Sequence, residues 1–367
     1  MKISVLIPVY KEPKFLVDLV TKLGVGSSYE DKEILVVVDG AMTPEIAEAL
    51  ETLGSDVKVV FPNEHRGKAV ALNQAALGLT TEVLLFLDND VLLPDNGAFL
   101  DILAQGLEKN DIVEMPKEVL VESWYSSMIG YEYQSLAMAN LILAKIAGRS
   151  PGIIGSAFAV KKDLFDRLKG FRQVVHEDGD FAARAFRLHS RYSFDFRLKI
   201  KTGMPNSLSD WVKQRKRWTL INVLWFKENF LHLLKSSVQH PSLIPAVGLM
   251  LLPSVLSPLV FLGLENLNLA VLNPLVFMVG QPLEIVSGIL LWFTYHMLFT
   301  QGLLSIGLGF TLSAILYGSF SLLFRFRFNL FSFAVYSFLY LPIVVVINLA
   351  MVVAFLRKTK LNLDWKT

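Results

Sequence analysis

Leu84-Leu85-Phe86-Leu87-Asp88-Asn89-Asp90 is the stretch that decides how the first half of this chain is read. Its apolar run, continuing from Val83, describes a strand buried on both faces, as strands of parallel sheets are. Two carboxylates one residue apart then end it. Open α/β sheets bind ligands at the carboxyl ends of their strands, so Asp88 and Asp90 fall where a ligand would sit. Two readings are open at this point. Asp-Asn-Asp is a polar turn closing a strand, or the two carboxylates share one divalent cation, a hard ion that prefers oxygen. The second reading implies a phosphate ligand, because Mg²⁺ and Mn²⁺ complete their coordination with substrate phosphates and water.

The residues before this stretch build the same kind of sheet. Lys2 to Pro8 reads as a first strand, and Pro13 to Leu23 as a helix with proline in its first turn. Glu33 to Val38 is a second buried strand ending in Asp39-Gly40. Thr43-Pro44-Glu45 starts a helix, with Thr43 as cap and Pro44 at the first helical position. Val57 to Phe61 is a third strand, and Arg66 to Leu79 a helix with Gly67 and Lys68 in its opening turn. Strands alternating with helices over about ninety residues predict a parallel sheet with helices on both faces.

Beyond Asp90 the alternation weakens. The pattern predicts helices over Phe99 to Glu108, Trp124 to Ile146, Glu177 to Leu188 and Ser207 to Trp218. It predicts strands over Asp111 to Met115, after the glycine turn Gly152 to Gly155, and over Tyr192 to Ile200. Glu177, Asp178 and Asp180 open one helix, where acids suit the positive end of the helix dipole.

Charge then divides the chain. Its 367 residues are 53% hydrophobic, and the mean hydropathy of +0.47 is too high for an ordinary soluble protein. From Pro241 to Leu356 the only charged residues are Glu265, Glu284, Arg325 and Arg327. A water-soluble domain therefore precedes a membrane-embedded, all-helical one. The apolar tract divides into about four spans: Leu243 to Gly263, Leu269 to Phe299, Gly302 to Phe324 and Leu330 to Leu356. Glu284 is the intramembrane acid to consider. Between the two parts, Trp218 to Leu234 is amphipathic, with tryptophans and basic residues suited to a membrane interface. The expected boundaries are 1–218, 219–240 and 241–367. Arg357, Lys358 and Lys360 outnumber Arg325 and Arg327, so the C-terminal end is taken as inside, which puts the soluble domain in the cytoplasm. The short apolar run Ile3 to Val9 is a strand rather than a signal sequence. There is no cysteine, which removes disulfides, thiolate metal sites and thiol nucleophiles. Neither GxGxxG nor GxxxxGK[ST] occurs, which disfavours dinucleotide oxidoreductases and P-loop enzymes.

Several short motifs now line up in order. Ile7-Pro8-Val9-Tyr10-Lys11-Glu12 resembles "IPxYNE", with lysine for asparagine. Val38-Asp39-Gly40 resembles "DDG" with only its second aspartate, and Gly67 to Asn73 resembles "GKAxALN". Asp88-Asn89-Asp90 matches DxD, and Tyr131-Glu132-Tyr133 resembles an aromatic-acid pair on the long helix that follows. Gly155-Ser156-Ala157-Phe158 resembles an acceptor-side turn. His176-Glu177-Asp178-Gly179-Asp180 is similar to "TEDxD", Thr202 to Pro205 to "TExP" without its glutamate, and Gln214 to Trp218 fits QxxRW in full. Together, ahead of membrane spans, they resemble the membrane-integral family 2 glycosyltransferases: cellulose, chitin and hyaluronan synthases and ceramide glucosyltransferase. The resemblance covers roughly Met1 to Trp218.

That resemblance implies a GT-A-type nucleotide-sugar-binding domain and inverting, metal-dependent sugar transfer. Pro8, Tyr10, Glu12, Asp39, Lys68, Asp88, Asp90, Gln214, Arg217 and Trp218 would face the donor, with Asp90 the surer ligand of Mn²⁺ or Mg²⁺ and Asp88 nearer the nucleotide. Gly155, Ser156, Glu177 and Trp218 would lie on the acceptor side, with Asp178 as base. The chemistry is coherent on its own terms: a cation stabilises the leaving diphosphate, a carboxylate among like charges takes the acceptor's proton, and Arg217 neutralises developing charge. The partners implied are a nucleotide sugar, of UDP by preference, a lipid or lipid-linked glycan and the bilayer, with no nucleic acid among them. A processive synthase that exports its polymer is the alternative within the class. A transporter with a regulatory nucleotide-binding domain is the alternative outside it, supported by the proline-broken spans and Glu284.

Overall fold

The computed structural model describes residues 1–54, 57–61, 64–205, 207–239 and 284–357, with only the backbone described at 239, 284–302 and 305. The chain divides into two units, Met1–Ala246 with Ile347–Thr367, and Val247–Val346.

In the first unit the apolar runs become strands β1 (Ile3–Val9), β2 (Lys32–Val38), β3 (Lys58–Val60) and β4 (Val83–Leu87). They pair in parallel in the order β3-β2-β1-β4, with Ile7 beside Val36 and Leu6 beside Phe86. Beyond β4 lie β8 (Ala157–Lys161), β6 (Ile112–Glu114) and β9 (Tyr192–Phe194). The sheet is mainly parallel, as expected; the exception is β8, which runs antiparallel to both β4 and β6. An apolar run carries no direction; only the path of the preceding chain decides it.

A small second sheet escapes sequence reading. It joins β5 (Val91–Leu92), β10 (Ile200–Thr202) and β7 (Lys117–Val119), each too short to show a period. The single strand expected over Tyr192 to Ile200 is therefore split. Asp195 breaks it by accepting the Arg197 N–H (2.9 Å) and pairing with the Arg197 guanidinium (2.6 Å), which tightens one helical turn between β9 and β10.

Helices α1 (Leu16–Leu23), α2 (Pro44–Leu53) and α4 (Phe99–Lys109) pack with one set of alternating sheet residues, including Val5, Ile7, Val36 and Leu85, to form the main core. Thr43 caps α2 as its sequence predicts, its hydroxyl accepting from Ile46 N–H at 3.3 Å. The opposite set, with Phe86 at its centre, meets an aromatic cluster of Phe158, Phe165, Phe171 and Phe181, ring centroids 5.0 to 6.3 Å apart. Helices α3 (Lys68–Ala76), α6 (Lys162–Arg167) and α7 (Glu177–Arg187) belong to this side. Asn73 of α3 grips the Phe171 backbone twice, at 2.8 and 2.9 Å.

Helix α5 (Trp124–Ile142) is capped by Ser123 and ends in a π turn closed by left-handed Gly148. Helix α8 (Leu208–Gln239) is one uninterrupted rod of 32 residues, so the QxxRW motif and the amphipathic segment share one helix. Phe226, Phe230, Leu231, Leu234 and Val238 along it are exposed.

Helix α9 (Glu284–Phe324) runs through the expected break at Phe299 to Gly302. A lone glycine costs a helix about 1 kcal/mol and does not stop it. A final helical run, α10, covers Leu330–Leu356. It widens into a π turn at Tyr336–Tyr340 just before Pro342, where a missing N–H must be accommodated. Within the second unit, Phe333 packs with Phe310, Tyr317 and Phe328 at 4.9 to 5.8 Å. Outward positions carry Leu322 and Phe331, 85% and 78% exposed. Ile306–Phe324 and Leu330–Leu356 are the two segments, among the described residues, long and apolar enough to cross a membrane. The expected span Leu243 to Gly263, the first part of Leu269 to Phe299, and Lys358 and Lys360 lie outside the described residues.

Candidate functional site

The carboxyl ends of β1, β2 and β4 carry the donor-side residues to one edge. Pro8 lies within β1 and Tyr10 just after it. Tyr10 stacks on His65 at 4.5 Å, and Gly40, at a positive φ of +125°, leaves room for that ring: a Cβ there would lie 3.3 Å from it. Asp39 follows β2 and is 4% exposed. One of its oxygens accepts Arg66 N–H at 2.9 Å and the other lies 3.1 Å from His65 Nδ1. His65 is a neighbour that sequence reading missed, because no motif letter marks it.

Lys68 opens α3, and its ammonium lies 2.5 Å from Asp88 Oδ1. Burial pushes its pKa down, but Asp88, Glu177 and Asp178 outweigh that and hold it above the ordinary lysine value. The DxD turn is fixed by backbone as much as by side chains. Asn89 donates to Glu12 C=O at 2.6 Å, and Asn89 C=O accepts Phe15 N–H at 3.0 Å. Glu12 thus contributes its main chain, and the residue is exposed.

Asp90 Oδ1 is buried and has no hydrogen-bond partner, while Oδ2 lies 3.8 Å from the Lys14 ammonium. Burial first, and then the Asp88 charge, raise the Asp90 pKa. An orphaned hard oxygen of this kind fits a divalent cation. No group of three or more acidic or histidine ligands converges among the described residues. Asp88 and Asp90 would therefore hold such an ion jointly with phosphate and water, as Mg²⁺ and Mn²⁺ prefer.

Asp178 sits in the first turn of α7 with both oxygens engaged: Oδ2 accepts Gly155 N–H and Oδ1 accepts Gly179 N–H, each at 2.7 Å. A Cβ at position 155 would lie 2.6 Å from Asp178 Oδ2, so any residue but glycine there forces Asp178 to shift. The next residue, Ser156, accepts Asp88 N–H through its carbonyl at 2.9 Å. Its hydroxyl is buried without a partner. One turn therefore touches both Asp178 and Asp88.

The like-charge argument applies to a different residue than expected. Asp180 is no neighbouring free charge, because Arg184 pairs with it at 2.7 Å and Arg172 at 3.4 Å. Glu177 carries the perturbation instead: burial, then Asp178, push its carboxyl up to about 7. His176 is buried with Nε2 at 3.2 Å from Glu228 of α8.

In QxxRW the helix period separates residues two apart onto different faces. Arg215, not Arg217, is buried; its guanidinium meets Glu132 at 2.6 Å and covers the Trp218 ring at 4.4 Å. Arg217 is exposed and makes no ion pair among the described residues. Trp218 faces Tyr133 at 6.3 Å. Burial and then the Asp90 charge raise the Tyr133 pKa. Gln214 Oε1 is buried without a partner.

Residues 4–168 match the profile of Glycosyl transferase family 2. The chain carries a family 2 glycosyltransferase domain. Among curated relatives of this domain, glycosyltransferase GlyG of Streptococcus pneumoniae is 26% identical over 45% of this chain and 58% of its own length. The poly-beta-1,6-N-acetyl-D-glucosamine synthase of Staphylococcus epidermidis is 26% identical over 59% of this chain and 53% of its own. The chain spans about half the length of the curated relatives it matches. Among solved structures, a Pyrobaculum calidifontis mannosyltransferase in complex with GDP-Man and Mn²⁺ is 18% identical, covers 83% of this chain and 86% of that one, and superposes with a TM-score of 0.50, a likeness of fold. The glycosyltransferase domain so matched contains Asp39, Lys68, the DxD pair and the Gly155 turn; Asp178 and Gln214 to Trp218 lie beyond it.

Proposed function

We propose that the chain transfers a sugar from a nucleotide sugar, of UDP by preference, to a hydroxyl of a membrane-borne lipid or lipid-linked glycan, with inversion at the anomeric carbon. The observation that carries this reading is the Gly155-Ser156 turn, which binds Asp178 on one side and Asp88 on the other. A proton acceptor held a fixed distance from a diphosphate site is what glycosyl transfer requires and a nucleotide sensor does not.

Asp39 would contact the nucleotide base or ribose, with Tyr10 offering an aromatic face. Lys68 meets the diphosphate as a fixed cation, and Arg217, exposed and without an ion pair among the described residues, remains available to it. A divalent ion at Asp88 and Asp90 would supply charge stabilisation for the departing diphosphate. Asp178, aimed by the Gly155 and Gly179 amides, takes the proton of the acceptor hydroxyl as that oxygen attacks the face opposite the leaving group. Ser156 and Trp218 line the acceptor side, and Glu177 beside Asp178 alters the field it works in. The exposed apolar stripe of α8 supports an interface helix, and the apolar outward faces of α9 and α10 support membrane embedding; the basic residues Arg357, Lys358 and Lys360 are the ground for a cytoplasmic catalytic domain.

A screen of nucleotide sugars against purified full-length protein with Mn²⁺ or Mg²⁺, detecting released nucleoside diphosphate, tests the reading. Release from at least one donor, lost in Asp178→Asn, is the expected result. Turnover that survives Asp178→Asn would overturn the mechanism, and no release from any donor would overturn the function. The likeness to a poly-N-acetylglucosamine synthase favours polymer extension as the second reading; a product ladder rather than a single addition would select it.

A further inference from the structure

Behind the Gly155-Ser156 turn lies a buried ion pair that the reaction as described does not use. Glu114, the last residue of β6, and Lys117, the first of β7, have side chains 0% and 1% exposed and meet at 2.9 Å. The Glu114 carboxylate also accepts Tyr192 O–H at 2.8 Å and Ile154 N–H at 3.2 Å, and lies 3.5 Å from the Asn140 amide nitrogen. The Lys117 ammonium also donates to Ala157 C=O at 3.1 Å. Ile154 and Ala157 are the two ends of the turn whose middle residues hold Asp178 and Asp88.

A pair buried this deeply is costly to desolvate and is weak as a source of stability compared with apolar residues of like size. Its geometry gives it another use. One charge grips the entry of the turn by an N–H, and the opposite charge grips its exit by a C=O. Between those points, Gly155 N–H fixes Asp178 and Ser156 C=O fixes Asp88 N–H. Burial lowers the Lys117 pKa, while Glu114, Asp178 and Asp88 raise it, so the ammonium also lies in the field of both site carboxylates.

We propose that Glu114 and Lys117 are positioning residues: a charged clamp that fixes the Ile154–Ala157 turn and so sets the base Asp178 at its working distance from the diphosphate-binding Asp88. The proposal rests on the sugar-transfer reading for its catalytic consequence, though the clamp itself is a statement about the turn. Asp88 is held mainly by β4, a central strand, whereas Asp178 depends on the turn for one of its two amide contacts. Loosening the clamp should therefore displace the base and leave the donor site in place.

The test uses full-length protein in lipid nanodiscs carrying Glu114→Gln, Lys117→Met, or both. Leu103→Ala, which opens a cavity in the main core and removes no hydrogen bond of the turn, serves as a control for simple destabilisation. Each clamp variant is expected to lower kcat about 10²-fold, the cost of misplacing a reacting group by about 1 Å, while donor KM and nucleoside-diphosphate affinity stay within about threefold. The double variant should lose little more than either single one, because the pair acts as a unit. Amide hydrogen exchange across residues 154–157 should quicken in the clamp variants and not in Leu103→Ala. If Lys117→Met does not fold, Tyr192→Phe, which removes one bond to Glu114, should show the same split with a kcat loss of about fivefold. A kcat loss no larger than that of Leu103→Ala, or a donor KM that rises in step with the fall in kcat, overturns the clamp. If wild-type protein releases no nucleotide from any donor while exchange at 154–157 still quickens in the variants, the functional reading falls and the clamp stands; unchanged exchange removes the clamp as well.

Discussion

Replacing Gly155 by alanine perturbs the proposed base with a single methyl group. The new Cβ would lie 2.6 Å from Asp178 Oδ2, 2.9 Å from its Cβ and 3.1 Å from its Cγ. Carbon atoms rest near 3.5 Å or beyond, so Asp178 must back away by about 0.6 Å. Its 2.7 Å bond from the residue 155 amide then stretches to about 3.3 Å, beyond the ordinary N–H···O range. A hydrogen bond to a charged group is worth about 1.5–3 kcal/mol, and a tenfold rate change corresponds to about 1.4 kcal/mol. The loss should be between roughly 10- and 100-fold in kcat, in line with the cost of about 1 Å of misplacement. The assay is nucleoside-diphosphate release from the best donor of the screen, with affinity for the nucleoside diphosphate measured separately by calorimetry. Affinity should change by less than about threefold, because Asp39, Lys68 and the DxD turn are untouched. Gly152→Ala is the local control: nothing lies within 4 Å of its Cβ position, and it should retain wild-type turnover. A Gly155→Ala enzyme with wild-type kcat would refute the assignment of Asp178 as a base held by this turn.

Asp90→Asn should remove most of the activation by Mn²⁺ or Mg²⁺, with about 10- to 100-fold weaker metal dependence in a titration of turnover against ion concentration; an unaltered titration would place the ion elsewhere. Lys68→Met should weaken nucleoside-diphosphate binding by about tenfold with little change in thermal stability, read by calorimetry alongside a melting curve. Arg215→Met removes the guanidinium that meets Glu132 at 2.6 Å, a pair 6% and 17% exposed, and should cost about 3–5 kcal/mol of stability; a melting temperature equal to wild type would show the pair to be well solvated. Glu177 has its carboxyl raised from 4.5 to about 7. The folded state therefore binds more protons than the unfolded one between those values, and stability falls as pH rises through that window. In metal-free buffer Glu177→Gln should gain stability relative to wild type between pH 4.5 and about 7, and a pH-independent difference in melting temperature would contradict the shift.

The sequence by itself determined the pieces whose signal is local. The run from Val83 to Leu87 became β4 with the same limits, Thr43 and Pro44 opened α2, and the carboxylates after β2 and β4 reached one edge, because apolar period, capping chemistry and strand-end position act over a few residues. Tertiary structure decided what depends on residues distant in sequence. It reversed β8 and assembled the sheet of β5, β10 and β7 from runs of two or three residues that have no period of their own. It turned Arg215 rather than Arg217 inward, because the partner that fixes the helix face, Glu132, lies 83 positions away. It tied Asp180 to Arg184 and left Glu177 as the perturbed acid. Above all it placed Glu114 and Lys117 behind the Gly155 turn, which two unremarkable charges on short strands could not announce. A side chain's burial and its partners are properties of the packed chain, and electrostatics in a dry interior follow the packing and not the order of the letters.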